Sequence, residues 1–381
     1  MSVLESEKAA GTAAVRSMRD IQALDALRAV SIALVILAHS AWFLPAKVAR
    51  SAFYDYIIGD GAHGVAVFFV ISGFLITLLL LRERERYGAI SLKRFYLRRT
   101  MRIFPPFYVF LLVMGILWIL RIIPEDPRSY LSAATYTWCY SPNAKGYFLS
   151  HTWSLSIEEQ FYLLWPLTVA LTSRKNAGRV AVTLIAAMPF VRLLEHFALP
   201  QLRGHEFFMI QGWVDTMMVG CALALAKDSS RFTRWRQRYV NGWLALFSAA
   251  IGLLFVPMLE AHLPRQAGGF FALVCGPTIT AVGIGIFVCY LVETRNRYVL
   301  RVVQNRAVMH VGVISYSLYL WQQLFVSPHL PLLPIGYLCA LVTAEISYWA
   351  IERPSMRLRG RLEDVVCGPR GARGLQNIPA V

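Results

Sequence analysis

Apolar runs of about 18 residues or more recur along nearly the whole chain, and short basic segments divide them. Hydrocarbon gives a backbone nothing to hydrogen-bond to. Such runs therefore cross a bilayer as helices that satisfy their own N–H and C=O groups. With 57% hydrophobic residues and a mean hydropathy of +0.50, the chain is too apolar for an ordinary soluble globule. The expected fold class is all-α, a polytopic transmembrane helical bundle. Its spans are expected near 22–44, 63–82, 103–121, 152–172, 179–197, 207–226, 240–259, 269–291, 307–326 and 332–351, about ten in all. Residues 1–20 read as a mobile cytoplasmic tail, 21–353 as one membrane domain and 354–381 as a basic cytoplasmic tail too short to fold alone. Neither a cleavable signal peptide nor an appended soluble domain is expected.

The charges orient this bundle. Net charge is +16. Alternate loops carry most of the basic residues: Arg82 to Arg102, then Arg174, Lys175 and Arg179, then Lys227 to Arg238, then Arg295 to Arg306, then Arg353 to Arg373. The intervening loops hold only Lys47, Arg50, Arg121, Arg128, Lys145, Arg203 and Arg265. That asymmetry places the basic loops and both termini in the cytoplasm of a multi-pass protein of the inner (plasma) membrane. It accounts for the basic balance without a nucleic-acid partner. The six cysteines form no CxxC pair and no disulfide framework, and no metal site is expected.

Within this frame the first span, IQALDALRAVSIALVILAHS, carries two residues that hydrocarbon disfavours. Arg28 and His39 are eleven positions apart, which puts them on one helical face with roughly 16 Å of rise between them. Taken singly, the arginine reads as a snorkelling end residue and the histidine as a satisfied core residue. An ionisable side chain inside the membrane also marks a functional site. The fourth span opens HTWSLSIEEQFYLLWP. It runs inward, so Glu158 and Glu159 lie about two turns below the outer surface, near the depth of His39. A carboxylate beside an imidazole raises its basicity, as a general base requires. At most one of the two acids faces His39. Glu158 is the choice, because Ser154 and Tyr162 extend its face at i−4 and i+4. The alternative is packing glue between helices.

In the second span Ser72 and Gly73 fall mid-membrane, where small residues serve helix packing or line a substrate path. Arg94, Arg98 and Arg102 recur every four residues in ISLKRFYLRRTMRIFPPFY, with Arg99 alongside. Such a row suits an anionic ligand or lipid headgroups as well as a positive-inside loop. The outer connection 122–151 is too long for a turn and reads as a lid, an acceptor-binding loop or a plain loop.

These pieces together resemble the membrane-bound acyltransferase-3 family of integral-membrane O-acyltransferases. LDALRAVSIALVILAHS, GVAVFFVISGFLIT, FYLRRTMRIFPPF, HTWSLSIEEQFYLLWP, SYSLYLWQQ and IERP occur in the family's order over about residues 21–354. The family's arginine, ten residues, histidine signature falls on Arg28 and His39. The resemblance implies that His39 is catalytic, and that Arg28 and the basic cytoplasmic residues, Arg98 and Arg102 among them, engage acyl-CoA. The family's serine-glycine falls on Ser72 and Gly73, and its WSLS acid on Glu158. Gln322 stands where many relatives have a histidine. The extracytoplasmic hydrolase-like domain of some relatives is not expected, so transfer is completed by this chain alone or handed to a separate protein.

The expected activity is transfer of a short acyl group, acetyl first, from cytoplasmic acyl-CoA to a hydroxyl. No bound cofactor is expected; acyl-CoA, acetyl-CoA first, is the co-substrate, and membrane lipids are the surroundings. The acceptor is a surface glycan or its lipid-linked precursor, or else a small molecule such as a macrolide. Direct attack on the thioester and an acyl-histidine intermediate are both open. The rival class is a proton-coupled secondary transporter, which intramembrane His, Glu, Asp and Arg also suit.

Overall fold

The computed structural model describes residues 22–49, 51, 54, 61–141, 146–203, 205–263, 265–330, 332 and 334–368. The expected terminal tail 1–20 and the expected charges Arg50, Lys145, Arg370 and Arg373 lie outside the described residues.

The described chain is helical, and its only pairing outside helices is one isolated bridge between Ser327 and Leu330. The first helix is α1 (Gln22–His39). After it come α2 (Ala62–Tyr87) and α3 (Leu92–Ile119). The short α4 (Pro127–Ala134) precedes α5 (Thr152–Leu171), α6 (Arg174–Ala198) and α7 (Ile210–Ala226). The basic α8 (Ser230–Tyr239) leads to α9 (Gly242–Ala250), which is prolonged through a π-turn (Ile251–Phe255) into Val256–His262. Then come α10 (Arg265–Val274), α11 (Gly276–Glu293), α12 (Arg297–Val303), α13 (Arg306–Val313) and α14 (Ser315–Phe325). The helix α15 (Ile335–Ser347) runs through a π-turn (Tyr348–Glu352) into α16 (Arg353–Cys367).

Among the described residues six helices are long and apolar enough to cross a membrane: α1, α2, α3, α6, the α9 stretch and α11. The other four stretches read as spans are helical too, but shorter, more polar or interrupted. The helix α7 has 17 residues, α5 carries two glutamates, α13 and α14 break at Ile314, and α15 changes to a π-turn. Two boundaries differ from the expected ones for a physical reason. A helix, once formed, continues while side chains can reach water. The helix α2 therefore runs on through Arg82–Tyr87 to Gly88, a left-handed stop at φ +77°. The helix α3 begins at Leu92, capped by Ser91, so the expected basic loop is its first three turns.

Burial orders the bundle. In α2, 83% of the apolar window is buried, against 22% in α6. The helix α2 is thus a central post, and α6 presents an apolar flank. Leu112, Ile119, Leu163, Leu164, Phe190, Leu194, Trp243 and Leu338 are all exposed on the outside. So much apolar surface is tolerable only in lipid, and the chain is a membrane protein. The helices α2 and α7 cross at glycines: a Cβ on Gly73 would overlap the Met217 carbonyl, and one on Gly220 the Val70 carbonyl.

The described part of the connection between α3 and α5 is folded. Ser129, Ala133, Cys139, Phe148 and Leu149 are buried in it, and Gly146 donates its N–H to Ser129 Oγ at 3.0 Å. The segment expected as a basic tail is helical as far as Cys367 and straps onto α3. Lys93 donates to the Val366 carbonyl, and Arg98 pairs with Glu363.

Candidate functional site

Five helices leave a polar cavity between them. From α1 comes Arg28, tethered to Asp25 one turn before it at 2.8 Å. From α2 come Val65, Phe68, Phe69 and Ser72, one stripe at i, i+3, i+4 and i+7. The helix α3 gives Arg99, Arg102 and Ile103, and α14 gives Ser315, Tyr316 and Tyr319. The helix α5 gives Ser154, Leu155, Glu158, Glu159 and Tyr162, again one face. The cavity has about 80 Å3 open to the centre of a water molecule. One water needs about 10–15 Å3 on that measure. The space therefore takes a small reacting group with a few waters, and it does not enclose a whole nucleotide.

Its polar groups are ordered by one another. Tyr162 donates its hydroxyl to Ser72 Oγ at 3.1 Å, and Ser72 donates to Glu158 Oε1 at 2.7 Å. The Glu158 carboxylate is thereby fixed toward α2. The Arg99 guanidinium lies 3.6 Å over the Tyr162 ring, a cation–π contact away from bulk water. Tyr316 donates to the Ile103 carbonyl at 3.0 Å and ties α14 to α3. Glu352, fully buried beside this end, accepts from Ser317 Oγ at 3.0 Å and interacts electrostatically with Arg102 and Arg28. At the opposite end Tyr319 shares a hydrogen bond with Ser154 and donates to the His151 carbonyl at 3.0 Å.

The structure brings Arg28, Arg102, Ser72 and Glu158 into this one cavity. It sets three expected residues elsewhere. Gly73 is spent on the crossing with α7, because the residue after Ser72 points about 100° round the helix. Arg98 lies between two carboxylates, Glu83 at 2.8 Å and Glu363 at 2.9 Å, where it joins α2, α3 and α16. His39 ends α1 and is not among the residues that line the cavity.

Arg99, Tyr316, Tyr319 and Glu352, all at or beside the cavity, had no role assigned from the sequence, and Glu159 entered only as the other acid that could face His39. Arg99 was in view only as a neighbour in a basic run. The signal for Glu352 was its buried place in IERP at a helix end, which by itself names no partner.

The family model described as an acyltransferase domain matches residues 21–351. The chain therefore belongs to the acyltransferase-3 family. It is 27% identical to O-acetyltransferase OatA of Staphylococcus aureus (strain NCTC 8325 / PS 47), over 89% of this chain and 57% of that protein. It is also 27% identical to "Putative O-acetyltransferase SACOL0978" of S. aureus (strain COL), over 91% of this chain and 59% of that protein. The chain spans under three fifths of the length of these curated relatives. No solved structure matches it significantly.

Proposed function

We propose that this chain is an O-acetyltransferase. It moves an acetyl group from acetyl-CoA on the cytoplasmic side to a hydroxyl of a surface glycan or its lipid-linked precursor. In this reading it crosses the inner membrane ten times, with both termini in the cytoplasm. Arg28 and Arg102 hold donor phosphates at the basic end of the cavity. Arg98 joins them by exchanging one of its carboxylate partners for phosphate. Ser72, with Gly73 behind it, lines the path of the pantetheine arm. His39 is the general base at the far end, and Glu158 supports the imidazolium that forms.

The step balances within these groups. The acceptor hydroxyl gives its proton to the His39 ring as its oxygen attacks the thioester carbonyl. The C–O bond forms and the C–S bond breaks. The imidazolium then returns the proton to the departing thiolate, leaving CoA and the ester.

The supporting observation is the cavity itself, which gathers Arg28, Ser72, Arg102 and Glu158 from four helices. Family membership and the names of the relatives support the acetyl group and the hydroxyl. The test is acetyl transfer to glycans in membranes carrying His39→Ala or His39→Gln, compared with the parent. Loss of transfer with unchanged folding and expression is expected. Near-normal transfer by both variants would end the proposal.

A further inference from the structure

The cavity changes character along α2. Ser72 is bonded to Glu158 and Tyr162, and the Tyr162 ring carries the Arg99 guanidinium. One turn back on the same face, about 6 Å along the helix axis, stands Phe68. Its ring meets the Tyr319 ring edge-on, with 6.2 Å between centroids. Val65, a further turn back, also lines the cavity, so trimming the Phe68 ring would open space toward it.

This wall is firmly backed. Tyr319 is 6% exposed, shares a hydrogen bond with Ser154 and donates to the His151 carbonyl at 3.0 Å. Swinging away from Phe68 would leave buried polar groups unpaired, which costs more than the bonds are worth when made. The adjoining Phe69 has a different task. It is buried edge-on against Trp153 at 6.2 Å and Trp213 at 5.6 Å, and so fixes α2 against α5 and α7. Phe68 is only partly buried and keeps surface toward the cavity.

Space decides what such a wall does. The cavity has room for roughly five to eight waters. In the acyl-transfer reading it takes the thioester, the last atoms of the pantetheine arm and the acceptor hydroxyl together. That leaves room for about two or three acyl carbons. Each further methylene meets a ring held in place by a second, hydrogen-bonded ring. Close-packed walls do not yield that width without cost.

We propose that Phe68, backed by Tyr319, sets the acyl length: the site admits acetyl and propionyl groups and rejects butyryl and longer chains. The inference rests on the acyl-transfer reading and adds to it the residue that selects the donor. The test is calorimetric binding to the full chain in lipid nanodiscs. The probes are non-cleavable thioether analogues of acetyl-, propionyl-, butyryl- and hexanoyl-CoA, so no acceptor is needed. The parent should bind the butyryl analogue at least about 10-fold more weakly than the acetyl one, the size of a misfitted methylene. Phe68→Ala should close most of that gap. Phe68→Leu, a milder change that keeps the test open should the alanine variant not fold, should close part of it.

Equal or tighter binding of the longer analogues by the parent, or a gap that both variants keep, would overturn the length limit and leave acyl transfer standing. Loss of every analogue by both variants, with the helical circular dichroism intact, would also overturn it, because Phe68 would then hold the donor rather than measure it. A parent that binds neither CoA nor any analogue would fail the acyl-transfer reading itself, and the length limit with it.

Discussion

Two clusters of arginine and acid among the described residues are treated oppositely by the fold. Between α6, α7 and α11 the Arg192 guanidinium donates to Asp215 Oδ2 at 3.1 and 3.0 Å, to the Val274 carbonyl at 2.9 Å and to Thr278 Oγ1 at 3.1 Å. Thr278 in turn donates to Asp215, whose other oxygen accepts the Thr216 N–H at 3.0 Å. Both side chains are essentially unexposed, and their bonds are made to one another, to the Thr278 hydroxyl and to nearby backbone. The cavity between α1, α2, α3, α5 and α14 also assembles arginines and glutamates, but around open space. A closed network locks helices together, whereas an open one is arranged for something that comes and goes.

The contrast can be broken by substitutions on either side. The largest effect is expected at His39. Its replacement by alanine should cut acetyl transfer about 100- to 10,000-fold while the helical circular dichroism and detergent melting curve hold, since general-base assistance is of that size. Next is the closed pair. Asp215→Asn or Arg192→Met should cost about 3–5 kcal/mol by leaving one buried charge unpaired, read as a lower melting temperature. Replacing both by apolar residues should recover most of that loss. An intact melting curve in the single variants would dissolve the distinction. Smaller again, Arg102→Gln should raise the acetyl-CoA KM about 10- to 100-fold with folding intact, the size of a charge-assisted phosphate contact. Equal loss of stability would make Arg102 structural after all.

The comparison also explains what was legible beforehand. Apolar length announced the helices, because hydrocarbon admits few other structures, and the polar residues set into those runs announced Arg28, Ser72 and Glu158. Partnership was not legible. Nothing in the chain says that Arg98 meets Glu83 and Glu363 or that Glu352 lies beside Arg102, since these pairs are brought together by tertiary packing. Nor does spacing say that Gly73 serves the crossing with α7 and Ser72, its neighbour, the cavity. The breaks at Cys275 and Ile314 fall inside continuous apolar runs, where hydropathy gives no mark, although Pro277 in the first turn of α11 is a start signal in hindsight.

The smallest expected effect lies in the connection between α3 and α5, away from both networks. Burial there pushes the Glu125 carboxyl up to about 7, although the Asp126, Leu149 and Phe148 backbone N–H groups oppose the rise. The folded loop therefore favours the protonated acid. Its contribution is fully present below the ordinary carboxylate range and is lost as pH rises through about 7. Amide protection over residues 124–149, taken relative to the intrinsic base-catalysed exchange rate, should fall modestly between pH 6 and pH 8, and Glu125→Gln should abolish that fall. Protection that rises over this interval would reverse the sign and reject it.

The most direct test of the open network is a structure of the full chain in lipid with a non-cleavable thioether analogue of acetyl-CoA. The diphosphate is expected against Arg28 and Arg102, the acyl end past Ser72 and Glu158, and the acyl carbonyl on the His39 side of Tyr319. An analogue bound elsewhere, with lipid or closed side chains between those arginines and His39, would contradict it.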